Sequence, residues 1–205
     1  MQFTALRGPY RSLSEFLTSL PMIPRRHRTL LIGIDGGGGS GKSTCARLLG
    51  EARADLTVLH MDDFYHPSGE RMPGPPSAKP VGADFDWQRV KRQVLDPLVA
   101  DRAGRYQIYD WDRDRVAEAW YPVPVGGIVV VEGCYSIRPE LAGLYDFRIW
   151  VDSPRCLRLA RGLARDGEEA RDRWENEWMA AEELYVAAYH PEQRADLVLD
   201  GSGAA

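Results

Sequence analysis

Cysteine, lysine and asparagine are scarce in this chain, and each scarcity excludes something. The three cysteines, Cys45, Cys134 and Cys156, lie far apart with no C-x-x-C spacing. That pattern argues against a disulfide framework or a cysteine zinc site, and for reduced thiols in the cytoplasm. No apolar run approaches the roughly 18 residues that cross a bilayer, and the N-terminus lacks a charged-then-apolar leader pattern. A membrane partner is not expected, and a cytoplasmic location is. Positive charge is short too: 26 Lys and Arg against 30 Asp and Glu give a net charge of -4. Such a chain offers little electrostatic footprint for nucleic acid. Its one basic block, Arg25, Arg26, His27 and Arg28, reads as a solvated connection ahead of a strand. The single asparagine, Asn176, is followed by Glu177, so the Asn-Lys-x-Asp motif with which GTPases read guanine is missing.

What remains suits one domain over residues 1–205, with 44% apolar residues for a core. Residues 12–20 carry Leu13, Phe16, Leu17 and Leu20 at helical spacing behind a Ser12–Glu15 capping box. Five apolar runs predict strands at 29–35, 57–61, 128–132, 146–151 and 196–200, the first as continuous as a strand buried on both faces. Helical spacing lies between them. It covers 42–54, the segment from Asp86 (where Pro97 should kink or end the helix), and 155–165 with Leu157, Ala160 and Ala164 on one side. The last helix repeats Trp174, Trp178, Ala181, Tyr185 and Ala188, a stripe read as core packing. Alternation of this kind implies a parallel sheet covered on both faces. Two stretches break it: the proline-rich 62–83 and the short extended pieces of 104–126. An irregular connection near 20 residues is uncommon unless it is functional.

The most telling stretch is Ile34–Thr44, I-D-G-G-G-G-S-G-K-S-T. It matches G-x-x-x-x-G-K-[ST] through Gly36, Gly41, Lys42 and Ser43, between a buried strand and a helix. Residues without Cβ let successive N–H groups turn inward on phosphate oxygens, and the helix start adds its positive dipole end. The nucleotide-binding candidates are Gly36, Gly37, Gly38, Gly39, Ser40, Gly41, Lys42, Ser43 and Thr44. Lys42 is expected to reach the outer phosphates of ATP, and Ser43 to ligate Mg²⁺. Glu132, ending G-I-V-V-V-E-G, is the candidate acid on the metal side. Asp62, at the end of T-V-L-H-M-D, is placed to take a proton from an attacking hydroxyl.

These motifs occur in a family order: the P-loop, then D-D-F-Y, then V-V-V-E-G, then R-L-A-R-G-L-A-R-D. From Leu30 to Gly201 the chain resembles the uridine kinase branch of the P-loop kinases, shared with phosphoribulokinase-like and pantothenate-kinase-like enzymes. The resemblance implies an α/β P-loop NTPase three-layer fold with a five-stranded parallel sheet in the order 2-3-1-4-5. It also implies an acceptor-binding insertion within 62–126 and a lid region at 155–173, its helix at 158–166. Asp62 would be the catalytic carboxylate and Glu132 the metal-side acid. Arg161 and Arg165 would close over the phosphates, with Arg158 and Arg171 as further candidates. Acceptor-side residues would be Tyr65, Asp86 (or Asp84), Tyr109 and Trp111. The chain departs from the family after Trp111: D-W-D-R-D-R carries no histidine, and the next one is His190. The expected activity is ATP- and Mg²⁺-dependent transfer to a hydroxyl of a small metabolite. A nucleoside comes first, a sugar or pantothenate-like alcohol second. A module that binds ATP and phosphorylates nothing is the rival. G-S-G at 201–203 is a weak guess for the adenine side, and oligomeric state is left open.

Overall fold

A computed structural model describes residues 3–203. In chain order its strands and helices are β1 (Thr4–Arg7), α1 (Leu13–Ser19), β2 (Leu30–Asp35), α2 (Lys42–Ala52), β3 (Leu56–His60), α3 (Trp87–Val90) and α4 (Asp96–Val99). Then come β4 (Gly104–Tyr106), β5 (Tyr109–Asp110), β6 (Arg115–Val116), β7 (Tyr121–Val123), β8 (Ile128–Glu132), α5 (Pro139–Ala142) and β9 (Phe147–Asp152). The last are α6 (Arg155–Asp166), α7 (Arg171–Arg173), α8 (Met179–Tyr189), α9 (Pro191–Arg194) and β10 (Leu197–Asp200).

The main sheet runs β1-β10-β9-β2-β8-β3. Its strands from β10 to β3 are mutually parallel, whereas β1 pairs antiparallel with β10. Five parallel strands were expected; the sheet is mixed and has six. The extra strand escaped notice because T-A-L-R is short and mostly exposed, without the apolar run that marks an inner strand. Every residue of β2 and β8 is buried, as a parallel sheet under two helical layers requires. Alternate side chains feed two cores. Leu30, Ile32, Ile34 and Val130 pack with Phe16, Leu20 and Leu49 on one face, while Leu31, Val129 and Val131 meet Val94, Leu98 and Tyr185 on the other. Each such aliphatic side chain contributes roughly 1.5–3 kcal/mol on full burial.

Ser12 caps α1 through a bond from the Glu15 amide, while the Glu15 carboxylate accepts from the Arg11 amide. Pro97 does not stop its helix. A π-turn at Lys91–Leu95 joins α3 to α4, and the proline sits in the first turn of α4. An i→i+5 register re-routes the ladder around the missing N–H. α6 corrects the sequence reading more sharply: Ala160 and Ala164 are exposed, and Gly162 is the helix's one fully buried residue. Its contact face is the one carrying arginines. Outside the main sheet, β4 pairs with β7 and β5 with β6, both antiparallel, so the extended pieces of 104–126 form two small sheets, with Val123 packed into the core. Among the described residues no helix is long and apolar enough to cross a membrane.

Candidate active site

Parallel register brings three strand ends together, with Ile34 of β2 and His60 of β3 both opposite Glu132 of β8. The loops leaving those ends line a cleft of about 1270 Å³. Carboxyl edges of parallel strands are where open α/β sheets bind ligands.

The glycine loop is folded as a cradle. Gly36 has φ +151° and Gly41, the residue just before α2, has φ +103°, values that side-chain-bearing residues rarely adopt. A methyl at Gly36 would also run into the Val151 carbonyl. Gly38, Gly39, Gly41, Lys42, Ser43 and Thr44 line the cleft, while Gly36, Gly37 and Ser40 lie behind it as the bend that shapes the loop. Lys42 Nζ donates to the Gly37 carbonyl at 2.9 Å. Burial alone would push the Lys42 ammonium down, but Cys134, Glu132, Glu182 and Asp35 outweigh it and raise it, so the lysine is a cation here. Asp35 anchors the entry to the loop. Its buried carboxylate accepts from the amides of Gly36, Tyr135 and Ile137 and from the Tyr185 hydroxyl. Burial pushes Asp35 up to about 6, against the pull of those donors and Lys42.

Ser43 Oγ donates to Glu132 Oε1 at 3.1 Å, and His60 Nδ1 lies 2.6 Å from the same oxygen. That bond, first among the influences on His60, raises its basicity. Glu132 Oε2 is buried without a partner. An orphaned carboxylate oxygen beside a serine hydroxyl suits a hard divalent cation. Among the described residues no three His, Cys, Asp or Glu side chains form a self-sufficient metal site. Mg²⁺ keeps waters and takes phosphate oxygens alongside one or two protein ligands. Ser43 and Glu132 would hold it.

Asp62 sits in the turn after β3 and lines the same cleft as Lys42, Ser43, Glu132 and Arg165. Burial raises its carboxyl above the usual range and Glu132 adds to this, while Lys42, Arg165 and His60 oppose it. A base closer to neutrality is a better proton acceptor at physiological pH.

The two expected lid arginines have different surroundings. Arg165 lines the cleft, bonded to Asp166. Arg161 does not line it; its guanidinium donates to the carbonyls of Gly39, Gly201 and Ser202, tying α6 to the loop and to the C-terminal turn. That contact is also where the G-S-G segment lies. Gly162 packs directly on Trp174, whose indole Nε1 donates to Asp166 at 2.9 Å. The aromatic stripe of the last helix is thus only partly core: Trp174 and Tyr185 are buried, but Trp174, Trp178 and Ala181 also line the cleft and Ala188 is exposed.

Of the residues expected on the acceptor side, Tyr65 and Trp111 line the cleft with ring centroids 5.0 Å apart. Tyr109 does not line it; it stacks edge-on against Trp111 and bonds Asp114. Asp86 is likewise off the cleft, capping α3 through the Arg89 amide. The alternative, Asp84, lines the cleft and pairs with Lys79 at 3.3 Å. The reason is local: a helix N-terminus needs a cap, and Asp86 precedes Trp87 at the helix start.

Sequence reasoning missed His60, Cys134 and Glu182. His60 left a trace as the one ionisable side chain in an apolar run. Glu182, on α8, left none, because A-A-E-E-L reads as an ordinary helix.

No family profile matches the chain. Among curated proteins it is 29% identical to the uridine kinase of Ligilactobacillus salivarius over 155 residues, covering 72% of this chain and 71% of that one. A solved structure described as a possible uridine kinase from Bacillus stearothermophilus superposes with a TM-score of 0.72 at 22% identity, covering 92% of this chain and 97% of that one. Another, described as a candidate fructose transport system kinase from Silicibacter sp. TM1040, gives 0.71 at 22% identity over 92% and 99%. At that identity the two structures speak for the fold alone. By class the chain is similar to the P-loop kinases, in fold and in the order of its motifs. Within that class it is similar to the uridine kinases, as its motifs implied.

Proposed function

We propose that this kinase moves the terminal phosphoryl group of ATP to a hydroxyl of a small metabolite, a nucleoside in the first place. The observation that carries the reading is that Asp62, its carboxyl raised above the ordinary aspartate range, opens onto one cleft with Lys42, Ser43, Glu132 and Arg165. Asp62 accepts the hydroxyl proton while the acceptor oxygen bonds to phosphorus and the bond to the leaving ADP oxygen breaks. Lys42, the loop amides and Arg165 offset charge spreading over the phosphoryl oxygens. Ser43 and Glu132 would hold a magnesium ion, which would supply further charge neutralisation. An insertion within residues 62–126 serves the acceptor and 155–173 serves as the lid. Tyr65, Trp111 and Asp84 face the acceptor, with Tyr109 bracing Trp111 and Asp86 fixing the helix behind them. Because the expected histidine after Trp111 is missing, a sugar or pantothenate-like alcohol is the second reading.

The test is ADP release from ATP and Mg²⁺ across nucleosides, sugars and pantothenate-like alcohols. Release that depends on one acceptor class supports the proposal and names the substrate. ADP formed at the same rate with every acceptor and with none would instead make this an ATPase or regulatory module.

A further inference from the structure

A carboxylate occupies part of the phosphate cradle. Glu182, only 7% exposed, reaches from α8 to the glycine loop. Its Oε1 accepts from the Gly38 amide at 2.7 Å and from Cys134 Sγ at 3.2 Å, while its Oε2 pairs with Arg158 Nη1 at 2.7 Å. A loop amide, a thiol and a guanidinium, with the Lys42 ammonium close enough to feel the charge, are the donor set an anion would choose. The pair lies directly on the loop: a methyl at Gly37 would collide with Arg158 Nη1 and come within 2.9 Å of Glu182 Oε2. Neither residue is among the groups assigned to the proton-transfer or metal side of the cleft.

We infer that Glu182 is an internal anion that competes with the nucleotide's outer phosphates for the Gly38 amide and for Arg158. The inference rests on the reading of this cleft as an ATP site. Its carboxylate satisfies the loop while no nucleotide is bound, keeping a half-buried amide and a half-buried guanidinium partnered. A polyphosphate bound there faces like charge at close range, which costs affinity unless Arg158 screens it or the carboxylate swings away. Arg158 is therefore shared between Glu182 and the phosphates. Glu182 is a positioning residue that lowers affinity for phosphate while leaving recognition of the nucleoside portion alone.

The test is calorimetric binding of ATP, ADP and adenosine to the full-length wild type, Glu182→Gln and Arg158→Ala. Glu182→Gln should bind ATP and ADP about tenfold more tightly and adenosine unchanged, because only phosphates meet the removed charge. Arg158→Ala should bind ATP about tenfold more weakly, since Glu182 then stands uncompensated. Either variant suffices if the other does not fold. ATP affinity that is unchanged or weaker in Glu182→Gln, or unchanged in Arg158→Ala, overturns the inference. A wild type that binds no ATP overturns the ATP-site reading as well, and so the two failures are distinguishable.

Discussion

Replacing Gly162 with alanine sets two opposing effects against each other at one position. Gly162 lies inside α6, where alanine is intrinsically better than glycine by about 1 kcal/mol. On an exposed helix that gain would stand. Here a methyl would lie 2.5 Å from Trp174 Cζ2, and closer still to Cε2. The indole has little freedom to retreat: Trp174 is 2% exposed, is bonded to Asp166, and on its far side abuts Gly38, where a methyl would be 2.9 Å from Cζ3. Overpacking of this kind costs roughly 1–3 kcal/mol. The steric term wins or at least cancels the propensity term, giving a net loss of about 0–2 kcal/mol. Function should suffer more than stability, because the displaced ring pushes on the phosphate loop and on the Asp166–Arg165 pair together. Urea denaturation followed by circular dichroism measures the first effect, and ATP calorimetry the second. A Gly162→Ala protein stabilised by about 1 kcal/mol with unaltered ATP affinity would refute the packing argument.

Lys42→Ala should reduce acceptor-dependent turnover by about a hundredfold or more, measured as ADP release, since a preorganised cation facing the phosphates is removed. The pH–rate profile should fall on its acid side above the ordinary aspartate range. In the proposed role Asp62 works as the anion, its value is raised by desolvation in the cleft, and activity is lost as pH drops through it; an acid limb at or below pH 4 would contradict this. Tyr185→Phe strips one donor from Asp35, at a cost of about 2 kcal/mol for a bond to a charged group. Because Asp35 titrates near 6 in the folded protein, against 3.8 without burial, its proton favours folding below 3.8 and that contribution is gone above about 6. The Tyr185→Phe penalty should accordingly be larger at pH 8 than at pH 5 in paired denaturation curves, and a pH-independent penalty would count against an ionising Asp35.

Much of this molecule was legible because its inner strands are simple. Leu30–Asp35 and Ile128–Glu132 are apolar on both faces, and that signal needs no tertiary knowledge. The glycine loop was legible because backbone geometry restricts residue choice there. Less visible were features set by contacts between distant segments. The exposed edge strand Thr4–Arg7 exists through pairing with β10, and its own four residues scarcely announce it. α6 misled because its small residues suggested an apolar face, when the deciding contact is a single glycine under an indole twelve positions away in sequence. Asp86 and Asp84 were indistinguishable by composition; a helix start took one and a lysine the other. Glu182 could not have been found from sequence spacing, since its partners at Gly38, Cys134 and Arg158 come from three separate segments.

The proposal gives Asp62 the acceptor and the loop from Gly36 the donor, and one substitution separates those roles. Rapid-quench measurement of phosphoryl transfer by Asp62→Asn, with ATP affinity measured on the same preparation, is the most direct test. ATP should bind as it does to the wild type while transfer to the acceptor falls by roughly 10²–10⁴, the range a positioned general base supplies. Transfer at the wild-type rate in Asp62→Asn, with ATP still bound, would contradict the account.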